Sequence, residues 1–149
     1  MRAVVQRVSR ARVAVDQDCV AEMDEGLLVL VGVGLRDEER DALELARKLV
    51  RLRVFEDEAG RLNRSLLDLA GTLGLVSQFT LFGDVRKGRR PSFGDAAPAD
   101  VARRLFDRVA SEAERLGVRV VTGRFGAKME VSLVNSGPVT LVLDTEHRF

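Results

Sequence analysis

Ser77-Gln78-Phe79-Thr80-Leu81 sets two hydroxyls and an amide inside an otherwise apolar stretch, GTLGLVSQFTLF at 71–82. Polar groups in such surroundings need hydrogen-bond partners if buried, and core residues bonded to neighbouring strands explain them as well as a reaction site does. Rich in β-branched and aromatic residues, the stretch predicts a strand, with Gln78 and Thr80 on one face and Ser77, Phe79 and Leu81 on the other. The Thr80 hydroxyl becomes a nucleophile only beside a base. No histidine or carboxylate stands at an evident paired spacing, and the single histidine, His147, is third from the C-terminus, where a solvated tail is expected. A covalent triad is therefore not expected of these residues.

A second stretch, VSLVNSGPVTLVLDT at 131–145, carries a different device. Met129, Val131 and Leu133 alternate with Lys128, Glu130 and Ser132, and Val139, Leu141 and Leu143 alternate with Thr140, Val142 and Asp144. Both patterns have the period of a strand and predict two strands joined by Asn135-Ser136-Gly137-Pro138. Gly137 has no side chain and Pro138 no N–H, so the link presents bare carbonyls. An X-Pro bond in a tight turn is also where a cis peptide can be held; an ordinary hairpin turn is the simpler account. A third stretch gathers Arg86, Lys87, Arg89 and Arg90 in one Gly-bearing loop ending at Pro91. It is either a solvated loop or a phosphate-facing one.

The elements that must hold these stretches follow from periodicity. Residues 1–8 and 12–15 alternate valine with arginine or glutamine and predict two short strands separated by Ser9 to Ala11. The unalternating run Leu27 to Val33 predicts a strand buried on both faces, broken by Gly32 and Gly34. Asp37, Glu38 and Glu39 suit a capped, acidic helix start, and Ala42, Leu45, Ala46, Leu49 and Leu52 then recur at helical spacing. Arg53 to Glu56 predicts a short strand, Leu62 to Leu69 a loop with a helical turn, and Pro98 a first helical residue. Val101, Leu105, Val109, Ala113 and Leu116 mark a second amphipathic helix stopped by Gly117, and Val118 to Phe125 a further strand.

With 149 residues and no composition break, the chain reads as one domain, 1–149. No apolar run approaches the roughly 20 residues of a membrane span, and arginines interrupt the N-terminal valines where a signal peptide needs an apolar core, so a cytoplasmic protein is expected. One cysteine, Cys19, and one histidine assemble neither an internal disulfide nor a zinc set, and no dinucleotide or Walker fingerprint accompanies Gly32 and Gly34. No metal and no cofactor is expected. A net charge of +1 does not by itself announce nucleic acid, although Arg2, Arg7, Arg10 and Arg12 crowd the N-terminus.

Five segments in fixed order, MRAVVQRVSRARV at the start, SQFTL at 77–81, RKGRRPSF at 86–93, FGAKM at 125–129 and NSGPVT at 135–140, make the chain resemble the D-aminoacyl-tRNA deacylases from end to end. Elements and resemblance together give an α/β fold: a single domain with a mixed, barrel-like sheet of about seven strands and two main helices packed on it. The resemblance implies an ester hydrolase that frees D-amino acids from tRNA, working as a homodimer with active sites at the interface. It implies that Gly137-Pro138 is cis and enters the partner's pocket, that Ser77, Gln78, Phe79 and Thr80 line the catalytic floor, and that Phe125 and Met129 help hold the terminal adenosine. It hints that Arg7 braces the Gly-Pro turn. The chain departs from the family at Ser136, a position often aspartate.

An aminoacyl ester is already activated and carries a neighbouring 2'-hydroxyl, so oriented backbone N–H groups near Phe79 and Thr80 are expected to suffice. Rejection of L esters is expected from the Gly137-Pro138 backbone acting as a wall, which glycine would pass. Arg86, Lys87, Arg89 and Arg90 are expected to meet the tRNA. Two rivals stand beside this reading, a non-catalytic nucleic-acid-binding dimer and a general small-ester hydrolase.

Overall fold

The computed structural model describes residues 1–146; His147 lies outside them. Its organising element is β1 (Arg2–Val15), a strand with neighbours on both edges. On one edge its N-terminal half pairs antiparallel with β3 (Gly26–Gly32) and its C-terminal half with β2 (Asp18–Met23). On the other edge β8 (Glu130–Asp144) runs antiparallel along nearly its whole length. The sheet continues from β3 through parallel β6 (Thr72–Ser77) to parallel β7 (Arg119–Thr122).

Parallel neighbours require crossovers, supplied here by α1 (Glu39–Arg51) and α3 (Ala99–Arg115). Both helices cover one sheet face. Leu45, Leu49, Leu105 and Val109 pack there against Val5, Leu27, Val29, Leu73 and Leu75, the odd-numbered side of β3 and β6. The opposite face curls around a second, smaller core of Val8, Ala11, Val13, Met23, Leu28 and Val76. Residues of β2 and β7 line one narrow space with those of β1, β3 and β6, so the sheet is nearly closed and barrel-like. A separate hairpin, β4 (Phe55–Glu56) with β5 (Leu62–Arg64), and the short α2 (Leu66–Leu69) complete the described residues. Among the described residues there are eight strands and three helices, against about seven and two expected: β2 (Asp18–Met23) was not foreseen, and segment 62–69 adds β5 and α2, where Ser65 and Asp68 form a reciprocal cap around one helical turn.

Four expectations are corrected. Ser9 to Ala11 does not separate two strands: Arg10 pairs with Val134 and Ala11 with Leu133, and register shifts at Gln6/Val8 and Val8/Arg10 absorb the break in alternation without ending the strand. Nor is Asn135 to Pro138 a hairpin turn. The residues on either side, Asn135 and Thr140, pair with Val8 and Gln6 of the same strand β1, so 136–139 bulge out of one continuous β8 opposite Arg7. Strand β6 ends at Ser77, and Phe79–Phe82 forms a 3-10 turn instead of extending it. Helix α1 is capped by Glu38, with Asp41 bonding back to the Glu38 N–H; Asp37 instead accepts from the Gly34 N–H and from the N-terminal ammonium.

Candidate active site

The 3-10 turn sits where it does because two glycines let it. A Cβ at Gly32 would stand 2.9 Å from the Gln78 carbonyl, and one at Gly34 would stand 2.6 Å from the Phe82 ring. Their absence of side chains brings the turn down onto the end of β3. Gln78 N–H donates to the Val31 carbonyl, the last sheet bond, after which the chain turns and Leu81 N–H donates to Gln78 O. Arg2 holds the far end: Nη1 donates to Leu81 O at 2.9 Å and the guanidinium lies over the Phe82 ring. As opening positions of the turn, Phe79 and Thr80 have N–H groups with no partner inside it.

Above this floor opens a cleft of about 390 Å3. Its apolar walls are the ends of β3 and β6, the first turns of α3 through Ala99, Ala102 and Phe106, and the segment Phe125 to Met129. Ser77, Gln78, Phe79, Phe125 and Met129 all line it. Thr80 stands beside it, exposed, its hydroxyl accepting from Gln78 Nε2. Phe79 is 58% exposed, stacked edge-on against Phe93 at 4.9 Å. Phe125 rests on Phe106 and beneath the Arg103 guanidinium, 5.2 Å from its ring centroid.

The structure therefore brings together five of the residues picked out in the sequence and keeps three others apart. Gly137, Pro138 and Arg7 do not line this cleft. Gly137–Pro138 is a cis peptide and Gly137 has φ of 131°, at the crest of the β8 bulge. Asn135 spans the bulge, its Oδ1 accepting from Val139 N–H and its amide donating to the Thr140 hydroxyl. From beneath, buried Arg7 donates through Nε to Ser136 O at 3.0 Å and through Nη1 to Val54 O at 2.7 Å, with Glu56 3.8 Å away. A Cβ at Gly137 would collide with the Arg7 guanidinium at 2.8 Å. Ser136 meets Arg7 through its backbone carbonyl, a contact that any side chain at that position leaves possible.

The basic loop is a hairpin closed by paired backbone bonds between Asp84 and Ser92, and Phe93 at its foot ties it to the cleft. Within it Arg86 is committed to Asp84, donating to both carboxylate oxygens from Nε and Nη2. Those bonds hold the Asp84 carboxyl down at about 2 and raise Arg86. Lys87, Arg89 and Arg90 point into solvent.

Arg103 and the small residues at the start of α3 were not picked out in the sequence, and Arg2 only as one of the arginines crowding the N-terminus. The run DAAPADVA at 95–102 was the available signal, since a helix beginning in alanines leaves room where larger side chains would fill it. Among the described residues no three His, Cys, Asp or Glu side chains gather as a metal set, and no helix is long and apolar enough to cross a membrane.

Comparison with known proteins places this geometry. The family model described as D-Tyr-tRNA(Tyr) deacylase matches residues 4–144. The D-aminoacyl-tRNA deacylase of Roseiflexus sp. (strain RS-1) is 58% identical over 145 residues, covering 97% of this chain and 94% of its own. The D-aminoacyl-tRNA deacylase of Thermosipho africanus (strain TCF52B) is 52% identical over 149 residues and all of both chains. A solved structure described as c-Myc DNA Unwinding Element Binding Protein superposes with a TM-score of 0.91 at 38% identity, covering 97% of this chain and 99% of that one.

Proposed function

Since the chain belongs to the D-Tyr-tRNA(Tyr) deacylase family, we propose that it hydrolyses the ester of D-aminoacyl-tRNA to free D-amino acid and tRNA, a chiral proofreading step in translation. The observation that carries this reading is the floor of the cleft: backbone N–H groups of Phe79 and Thr80 at the mouth of an apolar pocket that is large enough for an aminoacylated adenosine end. In the proposed reaction these groups hold the ester carbonyl and stabilise the oxyanion that forms on it. Water, oriented by the substrate 2'-hydroxyl, attacks, the acyl–oxygen bond breaks, and the ribose oxygen leaves with a proton. Thr80 needs no nucleophilic role, so Thr80→Ala should keep most activity; an acyl-enzyme trapped on Thr80 would sink this mechanism. Phe125 and Met129 offer the adenosine an apolar seat, and Lys87, Arg89 and Arg90 a phosphate-facing loop.

The wall against L residues is the Gly137-Pro138 backbone, supplied by a second copy of the chain. What supports a homodimer is β8 itself: an edge strand fifteen residues long with Val131, Val134, Leu141 and Val142 exposed on it invites a partner. Backbone alone discriminates hand while ignoring side-chain identity, and glycine, having no side chain to exclude, should pass. A tRNA substrate fits a cytoplasmic site of action.

The test is parallel hydrolysis of D-tyrosyl-, L-tyrosyl- and glycyl-tRNA with a chelator present. Loss of the D and glycyl esters with the L ester intact is expected. Loss of all three would favour a general esterase. Loss of none would favour a non-catalytic nucleic-acid binder, a reading supported by the name of the DNA-binding relative and the same basic loop.

A further inference from the structure

A second concave surface has no part in the cleft. An open groove of about 660 Å3 runs beside α1, lined by Arg40, Arg47, Lys48, Arg51 and Arg53 against the one carboxylate of Glu44. All five cations are exposed. Three are partly engaged: Arg40 lies 3.4 Å from Glu38, Arg47 lies 3.5 Å from Glu112, and Arg53 Nε donates to Asn63 O. Among the described residues, Lys48 and Arg51 have no carboxylate within 4.0 Å. A basic helix face is most often simply solvated, but here one sign of charge is gathered in a hollow, which focuses its potential.

Position is the second argument. The groove ends at Arg53, and the next residue, Val54, gives its carbonyl to Arg7, which also holds Ser136 beneath the Gly137-Pro138 bulge. Groove and bulge are thus joined through a single side chain. From Arg40 to Arg51 the helix spans about 16 Å at 1.5 Å per residue, enough to follow several phosphates of one strand.

We propose that the α1 groove binds the RNA backbone of the aminoacyl-tRNA away from its reacting end, a phosphate-binding surface additional to the Arg89 loop. This rests on the deacylase reading. The groove takes backbone charge and not sequence, because its cations sit on one face of a helix in an open hollow, with no pocket for a base among them.

The test compares wild type with Lys48→Glu/Arg51→Glu and with the milder Lys48→Gln/Arg51→Gln, whose smaller charge change keeps the comparison readable if the first pair disturbs the helix end. Uncharged tRNA is titrated between 50 and 200 mM salt, values chosen to span the steep part of the dependence. The Glu pair should raise Kd about tenfold or more, and each pair should reduce the slope of log K against log salt by about two, one per cation lost. Hydrolysis of D-tyrosyl-adenosine, which has no stem, should be unchanged. Equal Kd and equal slope in all three proteins would overturn the proposal, as would an equal loss on the adenosine ester, which would trace the effect to the cleft. A wild type that cleaves no D ester would fail the deacylase reading alone, because the tRNA titration still reports on the groove.

Discussion

The floor of the cleft and the bulge of β8 are held by different balances of force. The floor is seated mainly by close packing, glycines at 32 and 34 admitting the 3-10 turn and its buried Phe82, with Arg2 pinning the far end through Leu81 O. The bulge is seated by polar bonds on an exposed edge, from Arg7 below and Asn135 across. Packing tolerates little volume change but is indifferent to charge, whereas a polar brace fails when one donor is lost. Under the proposed reading the two regions take different tasks, a floor that fixes where the ester lies and a wall that fixes which hand is admitted. In one chain they do not meet.

Arg7→Ala attacks the brace at its centre and should have the largest effect. It strands the buried Val54 carbonyl and frees Ser136, at a cost of about 3 kcal/mol in urea unfolding, and it should raise L-ester cleavage relative to D. Unchanged discrimination in a folded variant would separate the brace from chiral selection. Gly34→Ala attacks the floor instead. Its Cβ meets the Phe82 ring, so about 1–3 kcal/mol of overpacking is expected, with kcat lowered on the D ester and the preference of hand retained. The two variants together break the comparison if they change the same kinetic quantity.

Asn135→Ala removes both side-chain bonds across the bulge, from Val139 N–H and to the Thr140 hydroxyl, with an expected cost of about 1–2 kcal/mol and a modest rise in L-ester cleavage, read from the ratio of kcat/KM values. The smallest effect concerns neither region. Glu112, buried on α3, accepts from Arg115 Nε and Nη2, both at 2.8 Å, which holds its carboxyl at about 2, with Arg47 and Arg108 adding in the same direction. A depressed carboxyl stabilises the fold above its unfolded value, near 4.5, and that contribution fades as pH falls from there towards 2. Glu112→Gln should flatten the acid limb of Tm against pH over that window. Both kinetic ratios should stay as they are near neutrality.

Much of this site was legible because its signals are local. The hydroxyls and amide at 77–80, the bare carbonyls of Gly137-Pro138 and the basic loop are each contiguous, and even the Asp84–Arg86 pair lies two residues apart. Helices α1 and α3 follow from apolar spacing along one segment. Strand ends were less legible. The stretch at 71–82 has β-forming composition to its end, yet the strand stops at Ser77 because Gln78 and Phe82 meet glycines some 45 residues earlier in the chain.

The sequence by itself determined most of the extended and helical segments, though not β2 or the turn at Phe79–Phe82, which residues are chemically unusual, and, through five ordered segments, the family. Tertiary structure alone decided that both halves of 130–144 pair with one strand, turning an apparent hairpin into a bulge. Register between strands depends on partners more than a hundred residues distant, and alternation looks the same whichever strand answers it. The same reason hid the role of Arg2: an arginine in an alternating strand looks solvated until the fold shows which carbonyl it reaches, and the role of Arg7 was hinted at only by the family resemblance and not by the alternation itself.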